Sequence, residues 1–282
     1  MDENWLSAPP PEAGEPVDFD TSVAHPARVY DYWLGGKDHF EADRAAGAAA
    51  AAANPAILPG VRANRQFLAR AVAYLAGAGI RQFLDIGTGL PSANNTHEVA
   101  QADAPESRVV YVDNDPIVLA HARALLTSTP EGATAFLDAD ARDVDEILRL
   151  ASETLDFSQP VAVIALMVMQ YIPDEDDPHS IIARLVAAVP SGSYLALSDT
   201  VSGVGEEVAA VATARLNERF GNVQLKRRPI EEIERYFTGL KLVEPGVVPL
   251  NRWRPPVQDV APSQDPSPAQ DLPAYCGIGQ KP

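Results

Sequence analysis

The run Asp85-Ile86-Gly87-Thr88-Gly89 ends a short apolar segment, Gln82 to Ile86. Glycines at such a place let the backbone turn tightly and come close to a ligand. Two further acids follow short apolar runs: Asp113 closes Arg108 to Asp113 (RVVYVD), and Asp138 closes Ala133 to Asp138, with Asp140 just beyond. A carboxylate at the second position can accept hydrogen bonds from both hydroxyls of a ribose. One at the third can accept from the exocyclic amine of adenine. Two ligand classes use this layout. A dinucleotide site wants G-x-G-x-x-G, with helix N–H groups facing a pyrophosphate. Here Gly87-Thr88-Gly89-Leu90-Pro91-Ser92 lacks the third glycine, and Asp85 would face a phosphate with like charge. S-adenosylmethionine has no phosphate and carries a sulfonium and an ammonium, so the acids favour it. Against this stands the plain reading that the acids are solvated strand ends and the glycines only turn the chain.

The elements that must position these residues alternate. Helices are expected over Arg44 to Ala53, Arg62 to Ala76, Thr96 to Ala102, Pro116 to Leu126, Val144 to Leu150, Asp177 to Pro190, Glu206 to Arg219 and Ile230 to Phe237. In the second of these, Phe67, Leu68, Ala71, Val72 and Leu75 form an amphipathic stripe. Strands are expected at Gln82–Ile86, Arg108–Asp113, Ala133–Asp138, Val161–Met169, Ser193–Ser198 and Leu240–Val243. Such alternation implies a mostly parallel sheet with helices on both faces, the α/β class. Ligands in such folds bind beyond the carboxyl ends of the strands. The acids fall there.

Composition sets bounds on function. The 282 residues carry 22 Lys+Arg against 39 Asp+Glu, a formal net charge of −17. That excess repels nucleic acid and anionic membrane surfaces and draws cations. Cys276 is the one cysteine, so no intramolecular disulfide forms, in keeping with a reducing, cytoplasmic setting. No apolar run approaches membrane-spanning length. Residues 1–20 hold six acids and no Lys or Arg, unlike a signal peptide, and are expected to be a flexible tail. Residues 255–273 are proline-rich and read as a loop before a last strand. Residues 21–282 are expected to form one domain, with 21–77 a helical N-terminal cover. The five histidines show no metal spacing, and no metal is expected.

Three segments closely resemble an actinobacterial family of S-adenosylmethionine-dependent methyltransferases, formerly known only as a domain of unknown function (DUF574-like). They are Asp85 to Pro91, Asn95 to Ala100 and Val110 to Pro116. Ala27 to Asp38 (ARVYDYWLGGKD), Asn64 to Leu68, Tyr171 to Asp174 and Glu244 to Gly246 are similar too. The resemblance implies a Rossmann-like class I methyltransferase fold: a seven-stranded, mostly parallel sheet whose antiparallel last strand comes from Tyr275 to Gln280. It implies that Asp85, Gly87, Thr88 and Gly89 cradle the methionine part of S-adenosylmethionine. Asp113 would bind the ribose, with Asn114 beside the adenine and Asp140 and Ala141 at the adenine edge. Family members often carry His where this chain has Gln170. A Gln amide takes no proton at neutral pH, so Gln170 is expected to contact substrate or cofactor and not to act as a base.

Methyl transfer is an in-line displacement in which alignment carries most of the catalysis. The sequence therefore marks a cofactor pocket and leaves catalytic residues unidentified. Tyr30, Tyr32, Trp33 and Lys37 are expected either to close over the sulfonium end as a lid that lines the acceptor pocket or to form an ordinary helix packed on the sheet. The expected function is methyl transfer to a small-molecule acceptor. A non-catalytic S-adenosylmethionine-binding regulator, an NAD-dependent oxidoreductase and an interaction scaffold are the alternatives.

Overall fold

Apolar residues two apart point to the same face of a strand, and here both faces are covered. The computed structural model describes residues 20–92, 94–125, 127–255 and 271–282. The acidic tail (1–19) and most of the proline-rich loop (256–270) lie outside them. Strands β1 (Gln82–Ile86), β2 (Arg108–Asp113), β3 (Ala133–Asp138), β4 (Ala162–Leu166) and β5 (Tyr194–Thr200) pair in parallel. The last strand, β8 (Ala274–Gln280), runs antiparallel to β5, to β6 (Lys241–Leu242) and to β7 (Val248–Pro249). The order across the sheet is β3-β2-β1-β4-β5-β8-β6, with β7 also beside β8. It reverses direction between β1 and β4, which places a crevice at their carboxyl ends.

Three helices precede the sheet: α1 (Pro26–Leu34), α2 (Glu41–Ala53) and α3 (Ile57–Gly77). The others are α4 (Thr96–Asp103), α5 (Pro116–Leu125), α6 (Val144–Ala151), α7 (Pro178–Ala187), α8 (Glu206–Asn217) and α9 (Ile230–Arg235). One face of the sheet sets Leu84, Val110, Val163 and Leu195 against Ile147 of α6, Ile182 of α7 and Ile233 of α9. The other sets Phe83, Val109, Ile164 and Ala196 against Phe67, Ala71 and Leu75 of α3. None of the described helices is long and apolar enough to cross a membrane.

Besides small shifts at element ends, four differences from expectation stand out. The expected strand to Met169 stops at Leu166, because Met167 takes φ 58° and turns the chain out of the sheet into a 3-10 turn at Met169–Tyr171. Helix α3 starts at Ile57, before the expected Arg62; Pro59 is tolerated in a first turn, where no N–H partner is needed. Helix α2 starts at Glu41, because Asp43 accepts from Phe40 N at 2.8 Å and stabilises the first turn. The sheet has an eighth strand, β7, beyond the seven expected.

Close packing at β8 needs glycine. A Cβ at Gly279 would lie 2.9 Å from Leu240 Cβ. On the opposite face, fully buried Trp253 packs edge-on against Phe67 at 5.3 Å between ring centres. Arg70 of α3 donates to the Trp253 and Leu250 carbonyls at 2.9 and 3.0 Å. Trp253→Ala is expected to cost about 3–5 kcal/mol, as loss of a fully buried aromatic does. Urea unfolding of the ligand-free chain measures it.

Candidate functional site

A cavity of about 360 Å³ lies over the carboxyl ends of β1, β2 and β4 and the segment after β3, with α1 and α3 on its far side. Its floor is the β1–α4 turn. Gly87 and Gly89 both take φ 68°, a region that disfavours other residues. A Cβ at Gly87 would stand 2.4 Å from Val168 Cγ2, so only glycine lets the turn pass under the β4 exit. Gly87 N and Thr88 N donate to Val112 O at 2.8 and 3.2 Å.

The acids are held differently. Asp85 is buried, and its Oδ2 accepts from Thr96 Oγ1 at 2.6 Å. Burial pushes its carboxyl up to about 6. Asp113 is also buried; its Oδ2 accepts from Gly89 N at 2.7 Å and its Oδ1 from Asp115 N at 3.0 Å. Burial raises its pKa as well. Asp140 is partly exposed and gripped by Arg142, whose Nε and Nη2 donate at 2.8 and 2.7 Å, and Asn114 Nδ2 donates at 3.2 Å. Arg142 lowers its pKa, and a ligand amine would use the lone pairs left over.

All eight residues expected around a cofactor line this cavity: Asp85, Gly87, Thr88, Gly89, Asp113, Asn114, Asp140 and Ala141. The four N-terminal residues are dispersed. Tyr30 lines the cavity; its buried hydroxyl donates to Val61 O at 3.2 Å and accepts from Asn64 Nδ2 at 2.9 Å. Trp33 donates to Gly47 O at 3.0 Å and lines a smaller cavity of about 100 Å³ next door, as does Gln170. Gln170 Oε1 accepts from Thr200 Oγ1 at 2.8 Å. Tyr32 and Lys37 line neither cavity. Tyr32 lies on the other side of α1, where its ring abuts Gly47 of α2 and His39, and Lys37 is exposed beyond the helix end.

Two polar residues of α3 with no role evident in the sequence face the cavity: Asn64 and Arg65. Asn64 is buried, and its Oδ1 accepts from Ser198 Oγ at 2.7 Å. The signal for it was a polar residue one turn before the apolar stripe. The N-terminus of α1 also reaches the cavity rim. His25 Nδ1 lies 2.9 Å and Arg28 Nε 3.6 Å from Asp115 Oδ2, which ties the cover to the exit of β2. Among the described residues, no group of three His, Cys, Asp or Glu is placed to hold a metal.

Residues 12–282 match a family described as S-adenosyl methyltransferase. A DUF574 family protein from Streptomyces avermitilis is 45% identical, with a TM-score of 0.87 over 93% of this chain and 99% of the other. A Thermobifida fusca protein described as a candidate methyltransferase is 41% identical, with a TM-score of 0.82 over 93% and 96%. The plantazolicin methyltransferase BpumL, solved with a triazolic desmethylPZN analogue and S-adenosylhomocysteine, is 11% identical at a TM-score of 0.51 over 91% and 96%, and shares the fold. No curated protein matches the chain.

Asp85 carries a stability cost. Its folded pKa, about 6, lies above the ordinary 3.8, so its buried charge destabilises the ligand-free fold above pH 6. The cost fades as the pH falls from 6 to about 4. Asp85→Asn is therefore expected to stabilise the ligand-free chain by up to about 3 kcal/mol at pH 8 and by nothing near pH 4. Urea melts across that range measure the difference.

Proposed function

The chain belongs to the S-adenosyl methyltransferase family, and from that premise we propose that it methylates a small-molecule acceptor beside the larger cavity. It is an S-adenosylmethionine-dependent methyltransferase with the class I fold. One observation carries the assignment of the cofactor to this cavity. Asp85, Asp113 and Asp140 stand at or just past three successive strand ends and line one space with a glycine turn. These acceptors suit a ligand that is cationic at one end and rich in hydroxyls and amines at the other. Asp85 and the Gly87–Gly89 turn would flank the methionine part, with Arg65 opposing its carboxylate. Asp113 would accept from the ribose hydroxyls. Asn114 would lie along the adenine, and Asp140 and the Ala141 backbone would meet its edge.

When bound, the cofactor supplies an activated methyl group with its leaving group attached. The protein need offer no nucleophile of its own. The residues bind, orient and exclude water. Helix α1 serves as a fixed wall, since Asp115 holds its N-terminus and Tyr30 faces inward. The net charge of −17 supports a small acceptor over a polyanion. We take 21–282 to act as one domain in the cytoplasm, with 21–77 as its cover; the single cysteine, buried in β8, accords with a reducing compartment.

Calorimetry with S-adenosylmethionine, S-adenosylhomocysteine and NAD tests the proposal. Both sulfur compounds are expected to bind and NAD is not. Asp113→Ala should weaken binding by roughly tenfold or more, the worth of charge-assisted hydrogen bonds. Affinity for S-adenosylmethionine should fall as the pH drops below about 6, where Asp85 takes up a proton. Binding of NAD alone would overturn the assignment.

A further inference from the structure

The smaller cavity shares Tyr30, Met167 and Tyr171 with the larger one, so the two spaces meet at a common wall. Met167 is the left-handed residue that ends β4, and the wall therefore stands at the exit of that strand. Asp113 and Asp140 lie at the opposite end, beyond β2 and β3. If the proposed function holds, the nucleoside part occupies their end and the methyl group points toward the shared wall. What lies behind that wall is the natural seat of the acceptor.

The chemistry of the lining narrows the acceptor. Trp33, Ile57, Val61, Ala212 and Leu216 give the smaller cavity mainly apolar walls. Three of its polar residues are engaged already. Trp33 Nε1 donates to Gly47 O, Gln170 Oε1 accepts from Thr200, and Arg227 is paired with Glu206 at 2.6 Å. A charged ligand would lose its water there against mainly apolar walls. The volume of about 100 Å³ is of the order that takes one ring, since a 150 Å³ engineered apolar cavity accepts benzene.

The lining also lacks a proton acceptor. No His, Asp, Glu, Lys or Cys is among the described residues that line the smaller cavity. Tyr30 and Tyr171 are the tyrosines there, and burial pushes both phenols further from ionisation. An alcohol, phenol or thiol arriving neutral would keep its proton and remain a poor nucleophile. A neutral nitrogen brings its own lone pair.

We propose that the smaller cavity is the acceptor site and takes an uncharged, ring-sized apolar molecule whose nucleophile is a neutral nitrogen, such as an aromatic ring nitrogen. The nitrogen lone pair forms the new N–CH3 bond while the S–CH3 bond breaks. That bond's electron pair stays on sulfur. The positive charge passes from sulfur to nitrogen, and a ring nitrogen has no proton to lose. The chain then needs no base, which is consistent with Gln170 at the edge of this site.

The test uses the full chain with saturating S-adenosylhomocysteine and 4-methylpyridine as the probe, titrated by ligand-observed NMR. The probe is expected to bind, with affinity that rises with pH as the pyridine itself loses its proton. Ala212→Leu and Thr213→Phe both fill the cavity from α8; Thr213 is only half-buried, so its replacement spares the core. Each should weaken the probe at least tenfold and leave S-adenosylhomocysteine affinity within twofold. With S-adenosylmethionine instead, mass spectrometry should find N-methylated 4-methylpyridine and no methylated p-cresol, a phenol of the same shape. Four results would overturn the proposal: no binding of 4-methylpyridine, tighter binding of its protonated form, affinity untouched by both substitutions, or methylation of p-cresol in place of the pyridine. Failure of the wild-type chain to bind S-adenosylhomocysteine would instead sink the cofactor assignment beneath it.

Discussion

The carboxylate of Asp113 is a junction between the turn after β1, the exit of β2 and, one contact further on, the helical cover. It takes a hydrogen bond from Gly89 in the turn after β1 and another from Asp115 past the end of β2. Asp115 then faces His25 and Arg28 at the start of α1, and Arg28 also lies 3.8 Å from the buried Asp43 of α2. A buried carboxylate must find donors, and here backbone N–H groups supply them. The glycine turn, the exit of β2 and the helical cover are thus tied to one another by these contacts. A ribose would add its hydroxyls to an acid already held in place.

The acids of this site divide into two kinds. Asp140 is partly exposed and neutralised by Arg142, and Asp115 faces a histidine and an arginine. Asp85 accepts from the Thr96 hydroxyl and lies in the field of Arg65, yet burial outweighs both and raises its pKa. A buried carboxylate with a raised pKa is stabilised by any positive charge brought beside it. The bulk charge of the chain has no part in this. Local placement decides it.

Much of this arrangement was legible in the sequence. Buried strands announce themselves as short apolar runs, and the Asp-x-Gly-x-Gly turn has a local signature. For that reason the eight residues expected around a cofactor line one cavity. The phase of α1 was harder. Residues three apart share a side of a helix and residues two apart do not, so Tyr30 and Trp33 reach neighbouring cavities and Tyr32 turns to α2. An aromatic cluster read without its helix phase treats all three alike. The end of β4 was illegible because Met167 in a left-handed conformation breaks a run that continues apolar to Met169. The smaller cavity has no local signature either. It is made by α1, α3, α8 and the turn after β4, which meet only in the folded chain.

Strand β8 sits between β5 and β6 in the sheet, yet it follows both in the chain. During synthesis, the first five strands and their helices emerge long before residues 274–280 do. Until then β5 presents an open edge, and β6 has no neighbour. A nascent chain at that stage has an exposed row of backbone donors and acceptors, the kind of surface that invites pairing with another chain. The sheet is sealed by β8, so the finished fold waits on a strand that follows β5 by more than seventy residues.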